Sequence, residues 1–265
     1  MRRLYAMILR VQQPLTELAA RLRAATRITV MTGAGVSAAS GVPTFRGAGG
    51  LWRTYRAEDL ATPEAFARDP ALVWEWYAWR REKVASCSPN AAHVVLARWS
   101  ASAKASAGQV PRDVRVVTQN VDDLHIRAGT RDLIRLHGSL WELKCFNGCS
   151  AGATTWRDER VPLPDGLPRC PYCGGYARPA VVWFGESLHG GDVNRAVEAT
   201  ACDVFLTVGT SAVVYPAAGF VHHARSLGAF TAEINLEPTP ASSLVDVSIL
   251  GAAEDVLPQL DRVIS

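Results

Sequence analysis

No stretch of this 265-residue chain approaches the ~18 consecutive apolar residues that a helix needs to cross a bilayer, although 48% of its residues are hydrophobic. A secretory signal is not expected either. The start, Met1-Arg2-Arg3, is basic, but the segment lacks the long apolar stretch and small-residue cleavage site of such a signal. Net charge is small, +3, and uneven: residues 1–30 hold six arginines and one acid, leaving −2 on the other 235. That is too little to argue for nucleic acid. The basic start reads as a flexible lead into a helix, with a transit peptide as the alternative, and the cytoplasm is the expected compartment. Cysteine is scarce too: of six, only Cys87 and Cys202 lie outside one short window, which disfavours a disulfide framework. There is no internal repeat, and only Ala101–Gly108 looks like a flexible surface loop. What is present suits one large domain, or one domain with a small insert, and eight tryptophans supply large apolar anchors.

The remaining cysteines, Cys145, Cys149, Cys170 and Cys173, are arranged C-x3-C, twenty residues, C-x2-C. Two close pairs can place four thiolates at the corners of one tetrahedron, the geometry of structural Zn2+. A closed four-sulfur site leaves no position for water, so the metal would brace the fold and not catalyse.

Short β-rich runs occur at Ile28–Thr32, Val114–Thr118, Leu133–Leu136, Val181–Phe184, Val204–Val208, Phe230–Ile234 and Val245–Leu250. Helical patterns occur at residues 14–26 (with Pro14 in the first turn), Pro70–Val84, Asn90–Ser100, Asp192–Thr200, Pro216–Ser226 and Ala253–Val263. Strands alternating with helices predict an α/β fold: a Rossmann-like parallel sheet with helices on both faces. Leu140–Arg178 breaks the rhythm and reads as a small inserted zinc-binding module. The expected division is one catalytic domain over 1–265. It comprises a Rossmann-like part at 14–139 and 181–263, the zinc module at 140–180 and a helical insert at about 46–85.

Gly33-Ala34-Gly35-Val36-Ser37-Ala38 fits G-x-G-x-x-G/A directly after a predicted strand. Its glycines would let the backbone approach a pyrophosphate, and the next helix N-terminus would offer N–H donors. A dehydrogenase should show a second strand ending in an acid ~20 residues later. Here Pro43–Gly50 follows instead, and Glu58 and Asp59 end no apolar strand, so hydride transfer is the weaker reading. Gln119, Asn120, Asp122 and Asp123 bunch at the end of the second predicted strand, where parallel sheets bind ligands. His137, just after another strand, is either a general base near neutral pH or a histidine hydrogen-bonded at a strand end.

Together, GAGVSAASGVPTFRG, TQNVDDLH, LHGS, two cysteine pairs, RPAVVWFGE, VGTS and INLEP, in this order from Ile28 to Leu257, resemble the sirtuins, the Sir2-like NAD-dependent protein deacylases. The resemblance implies that Gly33, Ala34, Gly35 and Ser37 line the pyrophosphate pocket, with Phe45 and Arg46 on a loop closing over nicotinamide. It implies that Gln119, Asn120 and Asp122 surround nicotinamide and its ribose, Asn120 orienting the ribose or a water and Asp122 the carboxamide. Gly209, Thr210 and Ser211 would contact the adenosine half, Asn235 with Glu237 would bind its ribose, and Ala253 would also be cofactor-binding. In the family mechanism the acyl oxygen of a modified lysine attacks the nicotinamide ribose and expels nicotinamide. His137, the implied base, then deprotonates a ribose hydroxyl that takes up the acyl group, so NAD is consumed. Val182, Trp183, Phe184, Gly185 and Glu186 resemble the segment that pairs with the substrate main chain. His189 stands where the family often has proline.

Tyr77 and Arg80 are three residues apart in a predicted helix, so both can emerge from one face, and a phenol with a guanidinium can bind a carboxylate. This Y-x-x-R, with GAGGLWR and LATPEAF, resembles the class III sirtuins, which accept succinyl-, malonyl- or glutaryl-lysine. The alternative is that Arg80 pairs with Glu75 or Glu82 while Tyr77 packs in the core, leaving a plain deacetylase. The expected partners are acylated-lysine proteins or peptides, with no specific nucleic acid and no membrane, and the protein itself is expected to be a monomer. A mono-ADP-ribosyltransferase would break the same glycosidic bond. A zinc-ribbon nucleic-acid module is disfavoured, because Arg157, Arg160 and Arg169 are balanced by Asp158, Glu159 and Asp165.

Overall fold

The computed structural model describes residues 2–44, 54–101, 112–149, 154–164 and 166–264, with side chains from Gln13 onward. Phe45, Arg46, the GAGGLWR stretch and the 101–108 loop after Ala101 lie outside the described residues. The strands are β1 (Arg27–Thr32), β2 (Asp113–Thr118), β3 (Leu133–Arg135), β4 (Gly138–Cys145), β5 (Trp156–Arg157), β6 (Ala177–Val181), β7 (Val204–Val208), β8 (Phe230–Asn235) and β9 (Val247–Leu250). Six of them form a parallel sheet in the order β3-β2-β1-β7-β8-β9. Counting only these six strands, the order is 3-2-1-4-5-6, the Rossmann arrangement, which leaves a crevice at the carboxyl ends of β1 and β7.

The helices are α1 (Arg2–Ala24), α2 (Gly35–Ala38), α3 (Ala57–Leu60), α4 (Pro63–Arg68), α5 (Pro70–Ala85), α6 (Ala91–Ala101), α7 (Leu124–Arg127), α8 (Gly190–Ala199), α9 (Phe220–Ser226) and α10 (Ala253–Ile264). Successive strand residues face opposite sides of a sheet, and the core divides accordingly. Ile28 and Val30 of β1, with Val204 and Leu206 of β7, pack with Leu18, Leu22, Leu96, Leu257 and Leu260 from α1, α6 and α10. Met31 and Phe205 face the other way, onto Ala196, Val221 and Ala224 of α8 and α9. Among the described residues no helix is long and apolar enough to cross a membrane.

A second sheet, β5-β4-β6, is antiparallel. It packs with α4 and α5 into a tryptophan-rich cluster that holds Trp74, Trp76, Trp141 and Trp183, with Trp79 and Trp156 against it. The helical insert and the cysteine-bearing module therefore share one core.

Three sequence-based expectations are corrected. The run Val181–Phe184 is not a strand of the parallel sheet; the strand is β6, which ends at Val181 and pairs antiparallel with β4. Arg178 and Pro179 hide it by interrupting the apolar run, yet Arg178 is buried because Glu186 neutralises it, and Pro179 sits beside a register shift where a missing N–H is tolerated. Pro14 lies inside α1, not in its first turn, because good helix formers precede it. The β-run at the end of the chain begins at Val247, not Val245.

Candidate active site

The nucleotide-side candidates gather where the parallel strands end. The N–H of Gly33 donates to Val208 O at 3.1 Å and that of Gly35 to Gly209 O at 2.8 Å, joining the turn after β1 to the turn after β7. A Cβ on Gly33 would lie 2.8 Å from Gly209 O, and one on Gly209, where φ is +59°, would lie 2.5 Å from Val36 N. Contact between the two turns thus already requires these glycines, before any ligand is considered. The expected helix N-terminus is also modified. α2 is a single turn, and the N–H groups of Gly35, Val36 and Ser37 donate inward to Gly209, Gly33 and Ala34 carbonyls. Gly35, Gly209, Asn235 and Ala253 line one cleft. Asn235 Nδ2 donates to Thr210 O at 2.9 Å and Gln119 Nε2 to Thr210 Oγ1 at 3.0 Å, so β2, β7 and β8 are bridged by side chains. Glu237 is exposed beyond β8, and Ser211 is half-buried next to Thr210.

Asn120 is buried, and its Nδ2 donates to Ser37 Oγ at 3.1 Å. Asp122 is buried in the same loop, its Oδ1 accepting the Leu124 N–H at 2.9 Å, and burial pushes its carboxyl above the usual range. Behind them lie two buried imidazoles that the motifs did not single out. His93 Nε2 is 3.3 Å from Ser37 Oγ, His125 Nε2 is 3.0 Å from Thr32 Oγ1, and the two rings are 4.8 Å apart. Burial pushes His93 down to about 4 and His125 to about 3, so both are neutral near pH 7. The sequence signal was the Asn90–His93 pair opening α6, in which Asn90 Nδ2 also caps Val36 O at 2.8 Å.

His137 occupies the junction between β3 and β4, half-buried. Its Nδ1 is 3.0 Å from Gln119 O. A carbonyl can only accept, so Nδ1 carries the proton and the neutral ring keeps its lone pair on Nε2. Burial lowers its pKa, with the Gln119 contact opposing, which favours that neutral form. The glycine after it is demanded by packing: Gly138 has φ +78°, and a Cβ there would lie 1.9 Å from Ala180 O across the β4–β6 pairing. We expect Gly138→Ala to lose at least ~2 kcal/mol, since the left-handed conformation alone costs a side chain 1–2. Thermal unfolding should show a fall of roughly 5 °C or more; an unchanged melting temperature would refute the argument.

On the other side of His137, Val182 N–H donates to His137 O at 3.0 Å. Trp183 N–H donates to Glu186 Oε2 at 2.9 Å, and Phe184 N–H to Ala61 O at 2.9 Å. Phe184 is exposed and Gly185 has positive φ, while Glu186 is held by Arg178 at 2.5 and 2.9 Å. Tyr77 is fully buried on α5, and the Arg80 guanidinium lies 5.4 Å from its ring centroid and 4.9 Å from that of Trp76. Both residues therefore do emerge on one face. His189 is largely exposed at the start of α8, 3.4 Å from Asp192.

The four cysteine sulfurs all lie within 4.8 Å of one another, with Cys145–Cys173 at 3.6 Å and Cys149–Cys170 at 3.8 Å. Disulfide sulfurs would be ~2.05 Å apart, whereas sulfurs ~2.3 Å from a tetrahedral zinc are about 3.8 Å apart. The cluster fits a structural Zn2+.

Known proteins align over most of this chain. A sequence model described as the Sir2 family matches residues 33–216. NAD-dependent protein deacylase 2 of Pyrobaculum aerophilum is 48% identical over 240 residues, covering 90% of this chain and 91% of that protein. The mitochondrial NAD-dependent protein deacylase sirtuin-5 of Canis lupus familiaris is 44% identical, with coverages of 89% and 81%. A crystal structure of a Sir2 homolog in complex with NAD superposes with a TM-score of 0.85 at 43% identity, over 94% of this chain and 93% of that one. With a family match over residues 33–216 and relatives more than 40% identical along most of their length, the chain belongs to the Sir2 family.

Proposed function

We propose that this protein is an NAD-dependent protein-lysine deacylase that moves the acyl group of a modified lysine to ADP-ribose and releases nicotinamide. The observation that carries this reading is His137: a half-buried imidazole with Nδ1 committed to Gln119 O and its Nε2 lone pair available, beside the strand-end crevice. NAD supplies the electrophilic ribose carbon and the hydroxyl that accepts the acyl group. The chain's own residues bind, orient and deprotonate. Gly33, Ala34, Gly35, Gly209, Thr210, Ser211, Asn235, Glu237 and Ala253 form the nucleotide cleft, and the Gln119–Thr210 and Asn235–Thr210 bridges fix its width. Asn120, held by Ser37, orients the ribose side, and Asp122 holds an amide through its carboxyl. Phe45 and Arg46, outside the described residues, would serve the nicotinamide side by the family resemblance. His137 Nε2 takes the proton from the hydroxyl that attacks.

We read residues 1–265 as one catalytic domain in which the 140–180 module and the 46–85 insert bound the substrate side, working as a monomer in the cytoplasm. An acylated-lysine peptide would pair with the 182–186 segment. Several N–H groups there are already engaged within the protein, so carbonyls of the segment would serve the pairing.

Tyr77 and Arg80 would receive an acidic acyl group, making succinyl- and malonyl-lysine substrates beside acetyl-lysine. A buried phenol and a half-buried guanidinium on one helix face match a carboxylate better than a methyl group. The test is turnover of matched acetyl- and succinyl-lysine peptides, with product analysis for O-acyl-ADP-ribose. Replacing Tyr77 with Phe and Arg80 with Met is expected to lower desuccinylation at least ~100-fold more than deacetylation, about the loss of two charge-assisted hydrogen bonds. Equal losses on both peptides would overturn the acyl assignment. Labelled ADP-ribose on protein, without acyl-ADP-ribose, would overturn deacylation itself.

A further inference from the structure

Trp183 belongs by sequence to the segment that meets the substrate main chain, but only 1% of it is exposed. Its indole points away from that surface, and Nε1–H donates to the Tyr77 hydroxyl at 2.8 Å. An indole N–H donates and cannot accept, so the direction of this bond is fixed: the phenol oxygen is the acceptor. The Tyr77 proton must then be directed to a different partner. Burial pushes the phenol's pKa up, so that proton stays in place at neutral pH.

The indole is itself held firmly. Arg178 lies 3.2 Å from the Trp183 ring centroid, Phe66 packs with ring centroids 5.4 Å apart, and the Tyr77 ring stacks at 6.4 Å with a 28° interplanar angle. Glu186 takes both Arg178 nitrogens and the Trp183 backbone N–H. Glu186 is thus occupied within the protein, holding Arg178 and the Trp183 main chain.

Resting on the acidic-acyl reading above, we propose that Trp183 is a positioning residue for acyl specificity. Its indole N–H holds the Tyr77 oxygen so that the phenol proton points at the carboxylate of an acyl group bound beside Arg80. A phenylalanine at this position would keep the aromatic packing and remove the indole donor, while the hydrogen bond between Arg80 and Tyr77 would remain. The Tyr77 hydroxyl could then turn, and the carboxylate would lose a directed hydrogen bond, whereas an acetyl group has no carboxylate to lose it.

The experiment is a double-mutant cycle with Trp183→Phe, Tyr77→Phe and the pair, each assayed with succinyl- and acetyl-lysine peptides on the same preparation. The ratio of kcat/KM values for the two peptides cancels any difference in the amount of folded enzyme. Trp183→Phe is expected to lower the succinyl-to-acetyl ratio about tenfold, the size of one net hydrogen bond, mainly through KM for the succinyl peptide. In the Tyr77→Phe background the same change should leave the ratio where it is, because the hydroxyl it orients is gone. A ratio equal to the parent's after Trp183→Phe, or two effects that multiply in the pair, overturns the proposal. If Tyr77→Phe itself leaves the ratio unchanged, the acidic-acyl reading has failed and this inference falls with it. If Tyr77→Phe lowers the ratio and Trp183→Phe does not, only the role of Trp183 is refuted.

Discussion

Replacing His137 with alanine is expected to lower NAD-dependent deacylation by about 10²- to 10⁴-fold, the usual contribution of a positioned general base. The fold should survive, because the ring makes its hydrogen bond to a main-chain carbonyl, and the β4–β6 pairing is made by the backbone from Gly138 onward. NAD should still raise the melting temperature of the variant, since the bridges that shape the cleft run through Gln119, Thr210 and Asn235 and not through His137. An alanine variant as active as the parent would refute the assignment. The pH profile gives a second readout. Burial lowers the His137 pKa, so the neutral, basic ring persists to more acidic pH than a free imidazole with its pKa near 6.5. The acid limb of kcat/KM should therefore fall below that value. A limb above it would mean that a different group titrates, or that a carboxylate pairs with the ring in the working enzyme.

Much of this site could be read in the chain because its parts are local. A glycine turn after a strand, a polar loop after the next, and a histidine after a third each sit within a few residues of the element that aims them, and the sheet brings the strand ends together. The cysteine spacing was readable for the same reason. What could not be read depends on partners far apart in sequence. Arg178 looked like a break in a strand because nothing local says that Glu186 neutralises it. Trp183 looked like a surface contact because its partner, Tyr77, is 106 residues away. The second glycine of G-x-G, Gly35, reads locally as a phosphate contact, whereas its nearest demand is the backbone of Gly209, 174 positions later. His93 and His125 carry no role in the motifs, because nothing local tells a buried neutral imidazole from an exposed one; the Asn90–His93 spacing is the one local hint.

Removing the zinc, by chelation or by Cys145→Ser, is expected to abolish activity although no cysteine touches the reacting atoms. The module reaches the site through β5, whose neighbouring residues clamp opposite sides of it. Arg157 binds Asp123, the residue next to Asp122, whose other oxygen accepts Ser139 Oγ at 2.9 Å. Asp123 sits at φ +61° with its side chain buried, a conformation that its partners must hold. Asp158, the next residue, binds Arg81, and Arg81 adjoins Arg80 on the acyl-pocket helix. Arg81 is 1% exposed, so loss of Asp158 would leave a buried cation without its carboxylate, which costs far more than a surface pair. β5 is only two residues long and joins the rest through β4, which ends at Cys145. The four sulfurs therefore fix the strand that fixes both clamps. Metal removal should lower the melting temperature by roughly 10 °C or more, as losing several kcal/mol would. It should also change the emission of Trp141 and Trp156, which lie in the module. Restoring Zn2+ to the chelated protein should recover both. An apo protein that melts at the same temperature and keeps its turnover would show that Arg157 and Asp158 are held without the metal. If instead Asp158→Asn impairs catalysis while zinc stays bound at one per chain, the clamp, and not the metal alone, is what the active site depends on.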